Sequence, residues 1–232
     1  MIHTYVQSAL ILLAAWLCAT ASDRVAMAQE PAGTDLAPKT VELVTPDGVL
    51  LKGRYFPGRH AKESVPILIL HGWQERGSAY EALARTLQSE AHGGHAVFVP
   101  DLRGHGGSTQ MEESSQQRIR ELKAEKLIKA DLVAMIEHDL DSVKSFLLEQ
   151  HNAGQLNLDR LCVIGSEMGA VLAVYWAAHD WSWPPLRGTR QGQDVKAVVL
   201  ISPPQNFKGL DIRLPLEAPG VSKDISFMIL YG

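Results

Sequence analysis

Leu161-Cys162-Val163-Ile164-Gly165-Ser166-Glu167-Met168-Gly169-Ala170 is the stretch whose reading decides the fold. A short, continuous apolar run ends at Gly165, a second glycine follows at Gly169, and an apolar segment continues to Ala178. Runs of the first kind are how strands buried on both faces of a parallel sheet read. The longer segment predicts a buried helix, so strand, tight turn and helix follow one another here. Counted inward from the two glycines, the apex of the turn is Glu167. Ser166 is one residue out of register, because centring the turn on it would set the bulky Ile164 and Met168 where glycines are needed. Cys162 lies inside the apolar run and reads as a small buried hydrophobe.

Outward from this turn the same alternation recurs. Pro66 to Leu70, Ala96 to Val99, Val195 to Ile201 and Phe227 to Leu230 are further short apolar runs. A helix is expected from Ser78, where Ser78-Ala79-Tyr80-Glu81 has the form of a capping box and Tyr80, Leu83, Ala84 and Leu87 repeat at helical spacing. Leu132, Met135, Ile136, Leu140, Val143 and Leu147 mark a second helix that ends near Gly154. Ahead of all this, Val41 to Val44 and Val49 to Phe56 flank Thr45-Pro46-Asp47-Gly48, whose residues tight turns select, and predict an antiparallel hairpin. The order predicts an α/β fold: a mostly parallel, doubly wound sheet with helices on both faces. The polar stretch from Met111 to Lys126 is expected to be a small lid or a solvated helix.

In such sheets ligands bind at the carboxyl ends of the strands. Three ends carry distinctive residues: His71-Gly72-Trp73, Asp101 to Ser108 with its Arg103-Gly104-His105 core, and Gly165 to Gly169. In this order and context they resemble the α/β-hydrolase family, over about Val41 to Gly232, with the final strand and helix of that fold missing. The resemblance implies a nucleophile elbow centred on Glu167, framed by Gly165 and Gly169, and a His71-Gly72 loop. It further implies an oxyanion hole from the backbone N–H groups of Trp73 and Met168. Two departures stand out. The elbow reads G-S-E-M-G, with glutamate in the serine's place, and no histidine follows His179, so the family's acid and histidine loops have no counterpart. Asp211 is the one candidate for an acid at an alternative family position.

These features predict a hydrolase-like scaffold that binds a small-molecule ligand or a partner and is not a working serine hydrolase. The alternative is a hydrolase using Glu167 as carboxylate nucleophile or acid/base on an ester, epoxide or haloalkane-like substrate. No cofactor and no metal are called for: His138, Asp139 and Asp141 read as a solvated helix face, His92 to His95 as a turn, and Trp181 to Pro185 as a rigid packed loop. The formal charge of −4, without blocks of like charge, gives no footing for nucleic acid.

The first residues are of another kind. Ala9 to Ala19 is an apolar run followed by Ala26-Met27-Ala28, and residues 1–28 read as a signal peptide cleaved after Ala28. Residues 29–39 then read as a disordered mature N-terminus and 40–232 as the folded domain, exported to the periplasm or the medium, without a transmembrane helix after cleavage. The absence of Lys and Arg before the run keeps an uncleaved membrane anchor as the alternative. With Cys18 removed, Cys162 has no partner for a disulfide. The run Phe227 to Leu230 is expected to be an apolar edge that a protein partner, or chain continuing past Gly232, would cover.

Overall fold

A computed structural model describes residues 36–113, 118–184 and 191–231. The signal-peptide reading of 1–28 and most of the irregular stretch after it lie outside these residues. Within the described residues the strands are β1 (Lys39–Val44), β2 (Val49–Phe56), β3 (Pro66–Leu70), β4 (Ala96–Pro100), β5 (Gln110–Glu113), β6 (Arg118–Glu121), β7 (Leu161–Ser166), β8 (Val195–Ile201), β9 (Asn206–Phe207), β10 (Leu210–Asp211) and β11 (Ser226–Leu230). The α-helices are α1 (Glu81–Gln88), α2 (Lys129–Ala134), α3 (Leu140–Asn152), α4 (Met168–Ser182), α5 (Arg213–Leu216) and α6 (Pro219–Asp224).

The main sheet runs β11-β8-β7-β3-β4-β2-β5-β6, with β1 on β2. Neighbours from β11 to β4 are parallel, and β4/β2, β1/β2, β2/β5 and β5/β6 are antiparallel. The expected α/β sheet and its N-terminal hairpin are thus present. Every residue of β3 and β4 is buried, as their unbroken apolar sequences require. One face packs Leu68, Leu70, Phe98, Val163 and Val198 against α2, α3 and α4, with Trp176 at the centre. The opposite face packs Ile67, Ile69, Val97 and Val99 with Ala84 and Leu87 of α1.

Several expectations need correction. Ser78 does not start an α-helix: Gly77–Tyr80 is a 3₁₀ turn with no side-chain cap, and α1 begins at Glu81. The N–H of Gly77 is taken instead by Asp101 Oδ1 at 2.7 Å, from the neighbouring loop. The described part of Met111 to Lys126 is neither lid nor solvated helix, because β5 and β6 pair there and extend the sheet beyond β2. Trp181 and Ser182 belong to α4 and not to a loop. Pairing in β1 takes in Lys39.

The largest correction concerns Asp139. It lies in a π-helical turn, Met135–Asp139, between α2 and α3, and it is fully buried. Arg103 donates to it from Nε (3.1 Å) and Nη2 (2.5 Å), and to Asp47 from Nη1 (2.6 Å) and Nη2 (3.0 Å). Burial disfavours the guanidinium's charge, but its bonds to Asp139 and Asp47 outweigh that and hold its pKa above the ordinary value. The hairpin turn, the loop after β4 and the long helix are fastened at this one side chain.

Candidate functional site

The turn after β7 has its apex where the two glycines set it, and that apex is strained. Glu167 sits at φ 46°, ψ −110°, between the last residue of β7 and the first of α4. A non-glycine residue held there costs on the order of 1–3 kcal/mol and persists only where its surroundings impose it. They do so through the backbone: Glu167 N–H donates to Ile201 of β8 at 3.0 Å, and its carbonyl accepts from Ala170 (3.0 Å) and Val171 (3.3 Å). Both glycines are required by close approach. A Cβ on Gly165 would run into the backbone of Gly169, and one on Gly169 into the carbonyl oxygens of Leu70 and His71. The side chain of Glu167 is exposed, and Ser166 is half-buried at the strand end.

The loop after β3 faces this apex. Gly72 leaves room for two carboxylates: Oε2 of Glu75 and Oε2 of Glu167 lie 2.9 and 3.2 Å from the point where a Cβ on residue 72 would stand. Glu75 Oε2 accepts the N–H of Gly72 at 2.8 Å and the hydroxyl of Tyr80 at 2.7 Å. The Ser166 hydroxyl also meets Tyr80. Burial above all raises the Tyr80 pKa; Ser166 opposes the shift and the bond to Glu75 adds to it, so the phenol keeps its proton and donates. Sequence reading missed Glu75 and placed Tyr80 only on a helix face. The signal was the spacing Gly72-x-x-Glu75, in which a carboxylate reaches back three residues to a backbone N–H.

Trp73 is half-buried, with Lys208 Nζ 3.8 Å from its ring, Phe207 at 5.5 Å and His105 at 5.4 Å between centroids. Lys208 also donates to Leu127 O at 2.6 Å, which ties the segment after β8 to the loop before α2. Among the described residues no acceptor meets the backbone N–H of Trp73 or that of Met168.

The histidines are committed elsewhere. His71 is fully buried between Gly72 O and the N–H of Leu102, and burial drives its pKa down to about 4, against the bond to Gly72. His105 is buried between Arg103 O and the N–H of Gln74, and its pKa is likewise lowered, by burial first. His179 pairs with Asp141 at 3.2 Å. It lies eleven residues into α4, roughly 17 Å along the axis from the apex. Asp141 also accepts from Trp176 Nε1 at 2.9 Å, so it joins α3 to α4. The Asp211 carboxylate is held by Arg213 (2.6 Å), which lowers its pKa. Cys162 is half-buried, and burial raises its thiol to about 11. No cluster of three metal-ligating side chains is found among the described residues.

A strand-turn-helix with a strained apex, facing a His-Gly loop at the carboxyl edge of a parallel sheet, is the framework of the α/β hydrolases. The chain matches the family model described as alpha/beta hydrolase fold over residues 65–224, and it belongs to that family. Among solved structures it is similar to the α/β hydrolase GrgF from Penicillium sp. sh18, at 20% identity and a TM-score of 0.52, covering 72% of this chain and 46% of that one. It is also similar to DcsB, solved with a substrate analogue, at 20% identity and 0.52, covering 74% and 47%. A third is an esterase from Pyrobaculum calidifontis, at 16% identity and 0.50, covering 72% and 45%. At these identities the likeness speaks for the fold alone, and the chain spans less than half the length of each of these structures. No curated protein sequence matches it.

Proposed function

We propose that this chain is an exported member of the α/β-hydrolase family that has given up serine chemistry and uses the elbow as a ligand-binding site. The observation that carries the reading is Glu167 at the exposed, strained apex, with Ser166 one residue away in the strand register. A carboxylate at this apex cannot form the acyl ester on a serine hydroxyl through which a serine hydrolase works. Among the described residues the two imidazoles next to the apex, His71 and His105, do not stand ready as its base, since both use their ring nitrogens on backbone groups. The open N–H groups of Trp73 and Met168 remain as donors for a polar group of a small ligand, at the positive end of a long helix. Glu167 and Glu75 meet over Gly72, and Tyr80 is bonded to Glu75.

The test is to assay the protein and Glu167→Ser on a panel of model esters, and the protein itself on epoxides and haloalkanes, with mass spectrometry of the Glu167 peptide. The expected outcome is no ester turnover above buffer by either form and no covalent adduct. Esterase activity in Glu167→Ser would mean that an intact catalytic apparatus surrounds the apex. An adduct on Glu167 would instead establish it as a carboxylate nucleophile.

A further inference from the structure

His71 and His105 are exchanged between two neighbouring loops. His71, the first residue after β3, accepts through Nε2 the N–H of Leu102 in the loop after β4, at 3.0 Å. His105, from that second loop, accepts through Nε2 the N–H of Gln74 in the first, at 3.2 Å. Each ring gives its Nδ1–H to a carbonyl of its own loop, His71 to Gly72 (2.8 Å) and His105 to Arg103 (3.0 Å). An Nε2 that accepts a backbone N–H carries no proton, so both imidazoles are neutral in this arrangement. They meet edge to face with centroids 5.0 Å apart, and the His105 ring also meets Trp73.

We propose that this reciprocal pair is an acid-operated latch on the loop carrying Trp73 and Gln74. A proton on either Nε2 removes the acceptor of the cross-loop bond, and protons on both place two like charges side by side. Acid therefore parts the Gly72 to Glu75 segment from the Asp101 to His105 segment while the sheet beneath stays folded. Two features localise the opening. Gln74 is held at φ 60°, and its N–H bond to His105 is one of the constraints that keep it there. Gln74, Glu75 and Arg76 are all exposed, so the released segment can move into water while the sheet core stays packed.

The charges around the pair set the direction. Burial opposes protonation of both rings, and each ring's charge would oppose the other's. Asp101 of the second loop favours charge on both, Glu75 of the first favours it on His71, and Lys208 from the segment after β8 opposes it on His105. Burial wins at His71, whose pKa is driven down to about 4. The open loop thus binds more protons than the closed one. The latch is at full strength above the ordinary histidine range, near 6.5, and weakens as pH falls toward about 4.

Opening would displace the Trp73 N–H and weaken any ligand at the apex, a consequence that rests on the proposed binding function. The latch itself is tested without ligand. Hydrogen exchange at the Gln74 and Leu102 amides, corrected for intrinsic rates, is followed from pH 7 to pH 4.5 beside imidazole ¹⁵N shifts and far-ultraviolet circular dichroism. Protection at these two amides should fall at least tenfold, in step with titration of the two rings, while β7 and β8 keep theirs. His105→Gln supplies an acceptor that does not titrate, and it should hold protection at Gln74 through the same range. Protection at both amides lost only together with global unfolding would overturn the latch. So would ring shifts that stay constant while the amides open. The wild-type measurement decides the matter even where His105→Gln fails to fold.

Discussion

At the scale of single residues, the molecule spends ionisable side chains on architecture and leaves its apex carboxylate in the open. Arg103 is the clearest case, a guanidinium only 2% exposed that divides its donors between Asp139 and Asp47. Asp139→Ala leaves buried donors of Arg103 without an acceptor while Asp47 still balances its charge, so it should cost about 1–3 kcal/mol, read from urea unfolding curves. Asp139→Asn should cost less, because its amide oxygen still accepts from Arg103. The sequence did carry a sign of this. Asp139 falls on the stripe of Met135, Ile136, Leu140 and Val143, and a carboxylate at a core-facing position needs a buried partner. What the stripe could not name was that partner, 36 residues away in the loop after β4. A second network of the same kind joins Lys144 of α3 to Asp180 of α4 and, at 2.8 Å, to Asp194, while Asp180 Oδ2 accepts the N–H groups of Asp194 and Val195.

At the scale of elements, continuous apolar runs were read correctly and short polar ones were not. β3 and β4 are buried on both faces, β7 nearly so, and β8 is buried on one face and half-covered on the other, so each declares itself by its apolar run. β5 and β6 have four residues each, and their outward polar positions look like those of any solvated segment. Their pairing follows from the place β2 offers at its Val49 and Leu50 end. β11 is the opposite case, an apolar run that pairs on one side with β8 and leaves Met228, Ile229 and Leu230 between 44% and 57% exposed. An edge of this kind is a template for association. Met228→Lys should reduce concentration-dependent self-association, measured by light scattering, while shifting stability by no more than about 0.5 kcal/mol.

For the whole molecule, no helix among the described residues is long and apolar enough to cross a membrane. Export through a cleaved leader predicts that the N-terminus of the protein recovered from an expressing cell's periplasm or medium begins at Gln29; Edman sequencing or intact mass reads this directly, and retention of the Ala9 to Ala19 run would indicate an anchor. The order of the apolar strands β3, β4, β7, β8 and β11, the long helices between them, the hairpin and the turn around Glu167 were legible in the sequence alone. Each depends on residues close together in the chain: a run of apolar side chains, a helical repeat, two glycines that clear a tight turn. Only the tertiary structure decided what stands around that turn. Glu75 and Glu167 meet over Gly72, His71 and His105 exchange backbone donors across 31 residues, and Arg103 reaches Asp47 across 56. The physical reason is that the sheet order sets β3 between β7 and β4 and brings their carboxyl ends side by side, so the partners of a charge or an imidazole are fixed by strand neighbourhood and not by distance along the chain.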